Sequence, residues 1–206
     1  AGATDNCGVS STTYSIGANT ITFPYDFAIG STVVNVHATD IHGNTAECAF
    51  TVVVEDGELP VVTCPVPLNP YPADGGQCDA TLSFVATSTD NCEVASTTYS
   101  VGGNLIAFPY DFGIGSTEVT VLVTDIHGNT AVCSFNVIVE DDEGPVVTCP
   151  IPQNPYAADA GHCYASLSFE ASATDNCGLA SSVYSVGENP ILFPYNFPVG
   201  STTVNV

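Results

Sequence analysis

Apolar and polar residues alternate along most of this chain in runs of strand length. In STEVTVLVT (116–124), Val119, Val121 and Val123 fall on one face, while Thr120 and Leu122 fall on the other. A period of two marks a strand with one buried side. Val34, Val36 and Ala38 form the matching face earlier in the chain. ATLSFVAT (80–87), VASTTYSV (94–101) and VCSFNVIVE (132–140) are further runs rich in Val, Thr and Phe, bounded by Gly, Pro, Asn and Asp, and each predicts a strand. No segment keeps helical spacing for more than two turns. The pattern predicts an all-β chain, and short strands with one hydrophobic face each favour a two-sheet, immunoglobulin-like sandwich, with a closed barrel as the alternative.

The pattern also recurs at a fixed interval. TDNC occurs at Asp5, Asp90 and Asp175, FPY at Phe23, Phe108 and Phe193, and CP at Cys64 and Cys149, in each case 85 positions apart. Solenoid repeats are shorter, roughly 20 to 50 residues, so the unit reads as one small domain: tandem immunoglobulin-like β-sandwich modules with an 85-residue repeat. Charge and proline cluster at VVVEDGELPVVTCP (52–65) and VIVEDDEGPVVTCP (137–150), the composition of short stiff linkers. The expected division is therefore the later part of one module at 1–58, a complete module at 59–142, and the first part of another at 143–206. Val206 aligns with Val36 and Val121 inside a strand, which leads us to expect a longer array. A neighbouring copy that adds the remaining strand is the alternative.

Composition narrows the partners. The chain has no Lys or Arg, 22 Asp plus Glu, and a formal charge of −22. A typical chain of this length carries roughly 25 basic residues. Nucleic acid and anionic membrane surfaces are excluded as partners, because both are bound through Lys and Arg. Divalent cations are the natural counterparts. With 45% apolar residues the chain is not a disordered acidic tail. Nine cysteines point to disulfides and an oxidising, extracellular setting, secreted or at a cell surface. No run of eighteen apolar residues is present to span a membrane. The first residues, AGATDNCG, show neither an initiating Met nor a signal-peptide pattern, so an export signal is expected outside them. No N-x-S/T sequon occurs, and the Ser, Thr and Pro content leaves O-glycans open.

The elements VVTCP after an acidic linker, GQC (76–78), ATSTDNC (86–92), GIGSTEVTV (113–121), TDIHGNTAVCSF (124–135) and VIVED (137–141) resemble the hyalin repeat, HYR, over the whole chain. The resemblance implies immunoglobulin-like modules strung in tandem on extracellular proteins and associated with adhesion. Two features depart from it: the absence of Lys and Arg, and the proline-rich segment PVPLNPYPADGG (65–76).

Each full repeat carries four cysteines. If Cys92 precedes the third strand and Cys133 starts the last, both lie at one end of the module, and a Cys92 to Cys133 bridge closes a loop of about 42 residues worth ~4 kcal/mol. Cys7 with Cys48 is its copy. Cys64 with Cys78 and Cys149 with Cys163 pair by elimination, and Cys177 is left without a partner. The competing scheme joins Cys48 to Cys64. Zinc is disfavoured, since no CxxC occurs.

The TDNC and TDIHGN loops are expected at that same end, near the acidic linker. Asp5, Asn6, Asp40, Asn44, Asp56, Glu58, Asp90, Asn91, Asp125, Asn129, Asp141 and Glu143 offer the hard oxygens that Ca2+ prefers. The competing reading is that these Asp and Asn residues cap turns, with Gly43 and Gly128 at positive φ. His42 and His127 sit two residues after an Asp, but no nucleophile accompanies them, so no catalytic site is expected and the protein is not read as an enzyme. Tyr14, Tyr99 and Tyr184 read as packing residues rather than a glycan platform. The expected function is a rod or filament for spacing, surface attachment or fibre assembly, made with other copies of itself head to tail. A carbohydrate-binding accessory array of a secreted enzyme is the alternative.

Overall fold

The computed structural model describes all residues from Ala1 to Val206, and every regular element in it is a strand. The first four are β1 (Val9–Ile16), β2 (Asn19–Ile21), β3 (Gly30–Asp40) and β4 (Thr45–Val54). They form one antiparallel sheet in the order β2-β1-β3-β4. Val34 and Val36 of β3 are buried in it, opposite Phe50 and Cys48 of β4.

Nine strands follow: β5 (Val61–Thr63), β6 (Tyr71–Pro72), β7 (Asp79–Leu82), β8 (Thr87–Thr89), β9 (Val94–Val101), β10 (Asn104–Ile106), β11 (Tyr110–Gly113), β12 (Gly115–Asp125) and β13 (Thr130–Glu140). Their main sheet runs β10-β9-β12-β13-β6, while β7 pairs with β11 and β5 with β8. The predicted run 80–87 is thus not one strand. It leaves one pairing after Leu82 and joins another at Thr87, and the ring of Phe84 between them packs against Tyr71, Phe108, Phe112 and Phe135 at centroid distances of 5.2 to 6.1 Å. A strand that changes partners around one large ring gives the core aromatic contact from several sides. Phe112, Val119, Val121, Val123, Val137 and Val139 are each at most 1% exposed, so the faces predicted from alternation on β12 and β13 carry the core.

The last strands are β14 (Val146–Thr148), β15 (Tyr164–Leu167), β16 (Ser172–Thr174), β17 (Tyr184–Val186), β18 (Asn189–Ile191) and β19 (Tyr195–Pro198). They pair as β14/β16, β15/β19 and β17/β18. Local packing is copied faithfully between repeats: Leu82 faces Tyr110 as Leu167 faces Tyr195. The Tyr99 hydroxyl accepts the Ala86 N–H as Tyr184 accepts Ala171, both at 2.9 Å. Tyr14, Tyr99 and Tyr184 each stack edge-on with the Phe of their FPY sequence at 4.9 to 5.0 Å, so these rings serve the packing.

Two compact units emerge. One comprises Ala1–Val61 with Ser88–Ser96 and Val123–Ala131; the other comprises Val62–Thr87, Thr97–Leu122 and Val132–Val206. The second holds both disulfides, and they differ from the expected pairing. Cys64 joins Cys133, and Cys78 joins Cys177. The expected pairs Cys92–Cys133 and Cys64–Cys78 and the Cys48–Cys64 alternative are replaced by these bonds, while Cys7, Cys48, Cys149 and Cys163 are unpaired, so that Cys7–Cys48 and Cys149–Cys163 are not formed. The reason is positional. Cys133 lies three residues inside β13, which begins at Thr130, and there its Cα is 5.9 Å from that of Cys64. Cys78 stands on a tight hairpin in which Asp74 N–H donates to Asp79 O and Gln77 N–H to Asp74 O, and it meets Cys177, with a Cα separation of 5.0 Å.

Candidate metal centre

Asp125 occupies the position after Val123 on the buried face of β12, and it is 2% exposed. A carboxylate there is costly unless donors meet it. The turn that follows supplies them: Oδ1 accepts the N–H groups of His127 and Asn129, each at 2.8 Å, and Oδ2 accepts the Asn129 amide at 2.7 Å. Gly128 takes φ 93°, which glycine adopts without a Cβ clash. Burial pushes the Asp125 carboxyl upward, but the Asn129, His127 and Gly128 donors outweigh it and hold it below the ordinary carboxylate range. Asp40 ends β3 in the same turn, accepting from His42 N–H, Asn44 N–H and the Asn44 amide at 2.7 to 2.9 Å. The Asn44 amide does most to hold Asp40 low, with the backbone donors adding to it against burial.

The linker after β4 brings a second carboxylate. The Asp56 side chain is 2% exposed, and its Oδ2 lies 3.1 Å from His127 Nδ1. Its Oδ1 accepts Glu58 N–H at 3.2 Å and the Asn91 amide at 3.5 Å, and its carbonyl accepts the Asn129 amide at 3.2 Å. For Asp56 too, burial acts upward and the donors, led by Glu58 N–H, prevail, so the carboxyl is held low.

Asp90 supplies the third. Its Oδ1 caps the DNC loop by accepting Cys92 N–H at 2.9 Å and Glu93 N–H at 3.2 Å. Its Oδ2 is sealed from solvent and has no donor. Asp56, Asp90 and Asp125 each present one oxygen, and these oxygens lie within 4.8 Å of one another. Asp56, Cys92 and His127 satisfy the same distance. The Cys92 thiol is pushed up by burial and by the neighbouring carboxylates of Asp56, Asp90 and Asp125, which opposes the thiolate that a soft metal requires.

Of the twelve oxygen-bearing residues singled out from sequence, three therefore converge. Asn91 and Asn129 brace them. Asp5 caps its own loop by accepting Cys7 and Gly8 N–H, and Asn6 is exposed. Glu58 offers Asp56 its N–H while its side chain stays outside. Asp141 accepts Glu143 N–H and the Asn176 amide, and Glu143 accepts Gly76 N–H. Sequence reading gave His127 no role, because its partner Asp56 is 71 residues away. His42, without such a partner, is exposed.

No family model matches the chain. It is 33% identical to hyalin of Strongylocentrotus purpuratus over 196 residues, which cover 86% of this chain and 15% of that protein. It is 32% identical to hyalin of Lytechinus variegatus over 202 residues, 87% of this chain and 37% of that one. The chain thus spans well under half the length of either relative. Among solved structures, the fibronectin(III)-like modules of Clostridium thermocellum CbhA align with a TM-score of 0.37 and 20% identity, over 68% of this chain and 83% of that one. Strands, recurring loops and relatives together define an all-β chain of tandem, disulfide-bonded modules related to hyalin.

Proposed function

We propose that this chain serves as a stretch of extracellular rod, in which tandem hyalin-like modules space, attach or assemble structures outside the cell. The observation that carries this reading is the join at Cys78 and Cys177, where the hairpin of one repeat is bonded to the DNC loop of the next. Such a bond stiffens a string of small domains. Similarity to hyalin supports the same role. Electron microscopy of the native material tests it: filaments or extended rods are expected, and compact globular particles would overturn it.

The Asp56, Asp90 and Asp125 carboxylates fit a divalent cation, calcium before others. The buried, donorless Asp90 Oδ2 supports this, since a bound cation would satisfy the oxygen that hydrogen bonds leave bare. The Asp56, Cys92 and His127 set is the weaker choice, because Cys177, the counterpart of Cys92 in the next repeat, is consumed in a disulfide. When bound, the ion neutralises three clustered negative charges and ties the linker to the two loops. Thermal melting in millimolar calcium should exceed melting in chelator by several degrees, and Asp90→Asn should erase the difference. Identical curves for the parent protein would sink the cation.

A further inference from the structure

We infer that the proline-rich segment 65–73 is a guard over the outer edge of β13, and that without it the β13 edges of two copies of this chain pair antiparallel. β13 is the last long strand of its sheet, and only the two-residue β6 lies beyond it. An edge strand offers its outward N–H and C=O groups to any other strand. The guard occupies these groups largely without forming a strand itself. Asn69 stands in for one: its side-chain amide donates to Asn136 O at 2.7 Å, and its Oδ1 accepts Ile138 N–H at 2.9 Å. β6 then runs parallel to β13, with Tyr71 beside Val139 and Pro72 beside Glu140, and Ala73 N–H donates to Glu140 O at 2.9 Å.

The guard is fastened along its length. Cys64, just before it, is bonded to Cys133 of β13. The Tyr71 ring packs against Phe84, and its hydroxyl accepts Leu68 N–H at 3.0 Å. Val66 and Leu68 are 90% and 86% exposed, so burial of these side chains does not place the segment; its bonds to the β13 edge do. Pro65, Pro67, Pro70 and Pro72 have no N–H to donate, which makes the guard a poor template for a further strand.

What it covers is the opposite. Residues 132–139, VCSFNVIV, hold no charge, Gly or Pro, the composition of a segment that adds readily to its own kind. Glu140, Asp141, Asp142 and Glu143 follow at once. Parallel pairing of two such edges would set these acids side by side. Antiparallel pairing about a two-fold axis near Phe135 lays neutral stretch on neutral stretch and sends the acids to opposite ends. On a chain of charge −22 with no Lys or Arg, that selects the antiparallel partner.

Hydrogen exchange and light scattering test the guard and the pairing, with free thiols capped by iodoacetamide so that no new disulfide forms. In Asn69→Ala the Ile138 amide should exchange about tenfold faster or more, as loss of the Asn69 bonds implies. Val137 and Val139, whose N–H groups point the other way by strand alternation, should keep their rates. The triple variant Cys64→Ser, Cys133→Ser, Asn69→Ala should show twice the mass of the parent at equal concentration. Adding Ser134→Pro, which removes an N–H on the same side of β13 as that of Ile138, should restore the parent's mass. An unchanged Ile138 rate would refute the guard. A dimer that survives Ser134→Pro, or a triple variant that keeps the parent's mass while Ile138 exchanges freely, would refute the pairing. Circular dichroism checks that each variant folds, and if the triple variant does not, Asn69→Ala alone carries both measurements.

Discussion

Asp125 stands where the alternation of β12 calls for another valine, and its hydrogen bonds explain why a carboxylate is tolerated there. Because Asp125, Asp56 and Asp40 are held below the ordinary carboxylate value of 3.8, the folded chain binds protons less readily than the unfolded one. Their contribution to stability is complete above that pH and is lost as the pH falls through the lower folded values. Melting curves between pH 6 and pH 2.5, compared for the parent and Asp125→Asn, should show the steeper acid loss in the parent; parallel curves would contradict the assignment. Glu93 is a second residue-scale anomaly. It holds φ 119°, where the equivalent Gly8 and Gly178 hold 113° and 99°. Glu93→Gly should raise stability by about 1 kcal/mol in a denaturant titration, since glycine enters that region without strain.

Strand pairings carry the next scale. The β12 and β13 faces were legible in the sequence because Val119, Val121, Val123, Val137 and Val139 alternate without interruption. The break within 80–87 was not, since both halves have strand composition and only the position of the Phe84 ring separates them. Phe112, 1% exposed and in contact with the Phe84 and Tyr110 rings, should cost about 3 to 5 kcal/mol when changed to Ala. Loss of the Cys64–Cys133 bond in a double serine variant, which opens a sequence separation of 69 residues, should cost about 4 kcal/mol by chain entropy. Both are read from denaturant midpoints, and a cost below 1 kcal/mol in either would show that the element is not held as described.

Across the molecule, a charge of −22 with no Lys or Arg leaves self-repulsion unopposed except by ions. Sodium chloride should raise the melting temperature gradually by screening. Calcium should do so at far lower ionic strength if three carboxylates hold it in one place. Equal effects of the two salts at equal ionic strength would reduce the calcium response to screening alone.

The sequence by itself determined the β class, the recurrence of its loops and the faces that are buried, because each follows from local alternation and from Gly, Asn and Asp in turns. It also named Asp56, Asp90 and Asp125 among a dozen oxygen donors. Only the tertiary structure decided which three of them meet, that His127 faces Asp56, and which cysteines are bonded. Those choices depend on how far along a strand a residue sits and which segment lies beside it in space. Cys133 shows the difference: its spacing along the chain suggested Cys92, and the segment that lies beside it in β13 offers Cys64 instead.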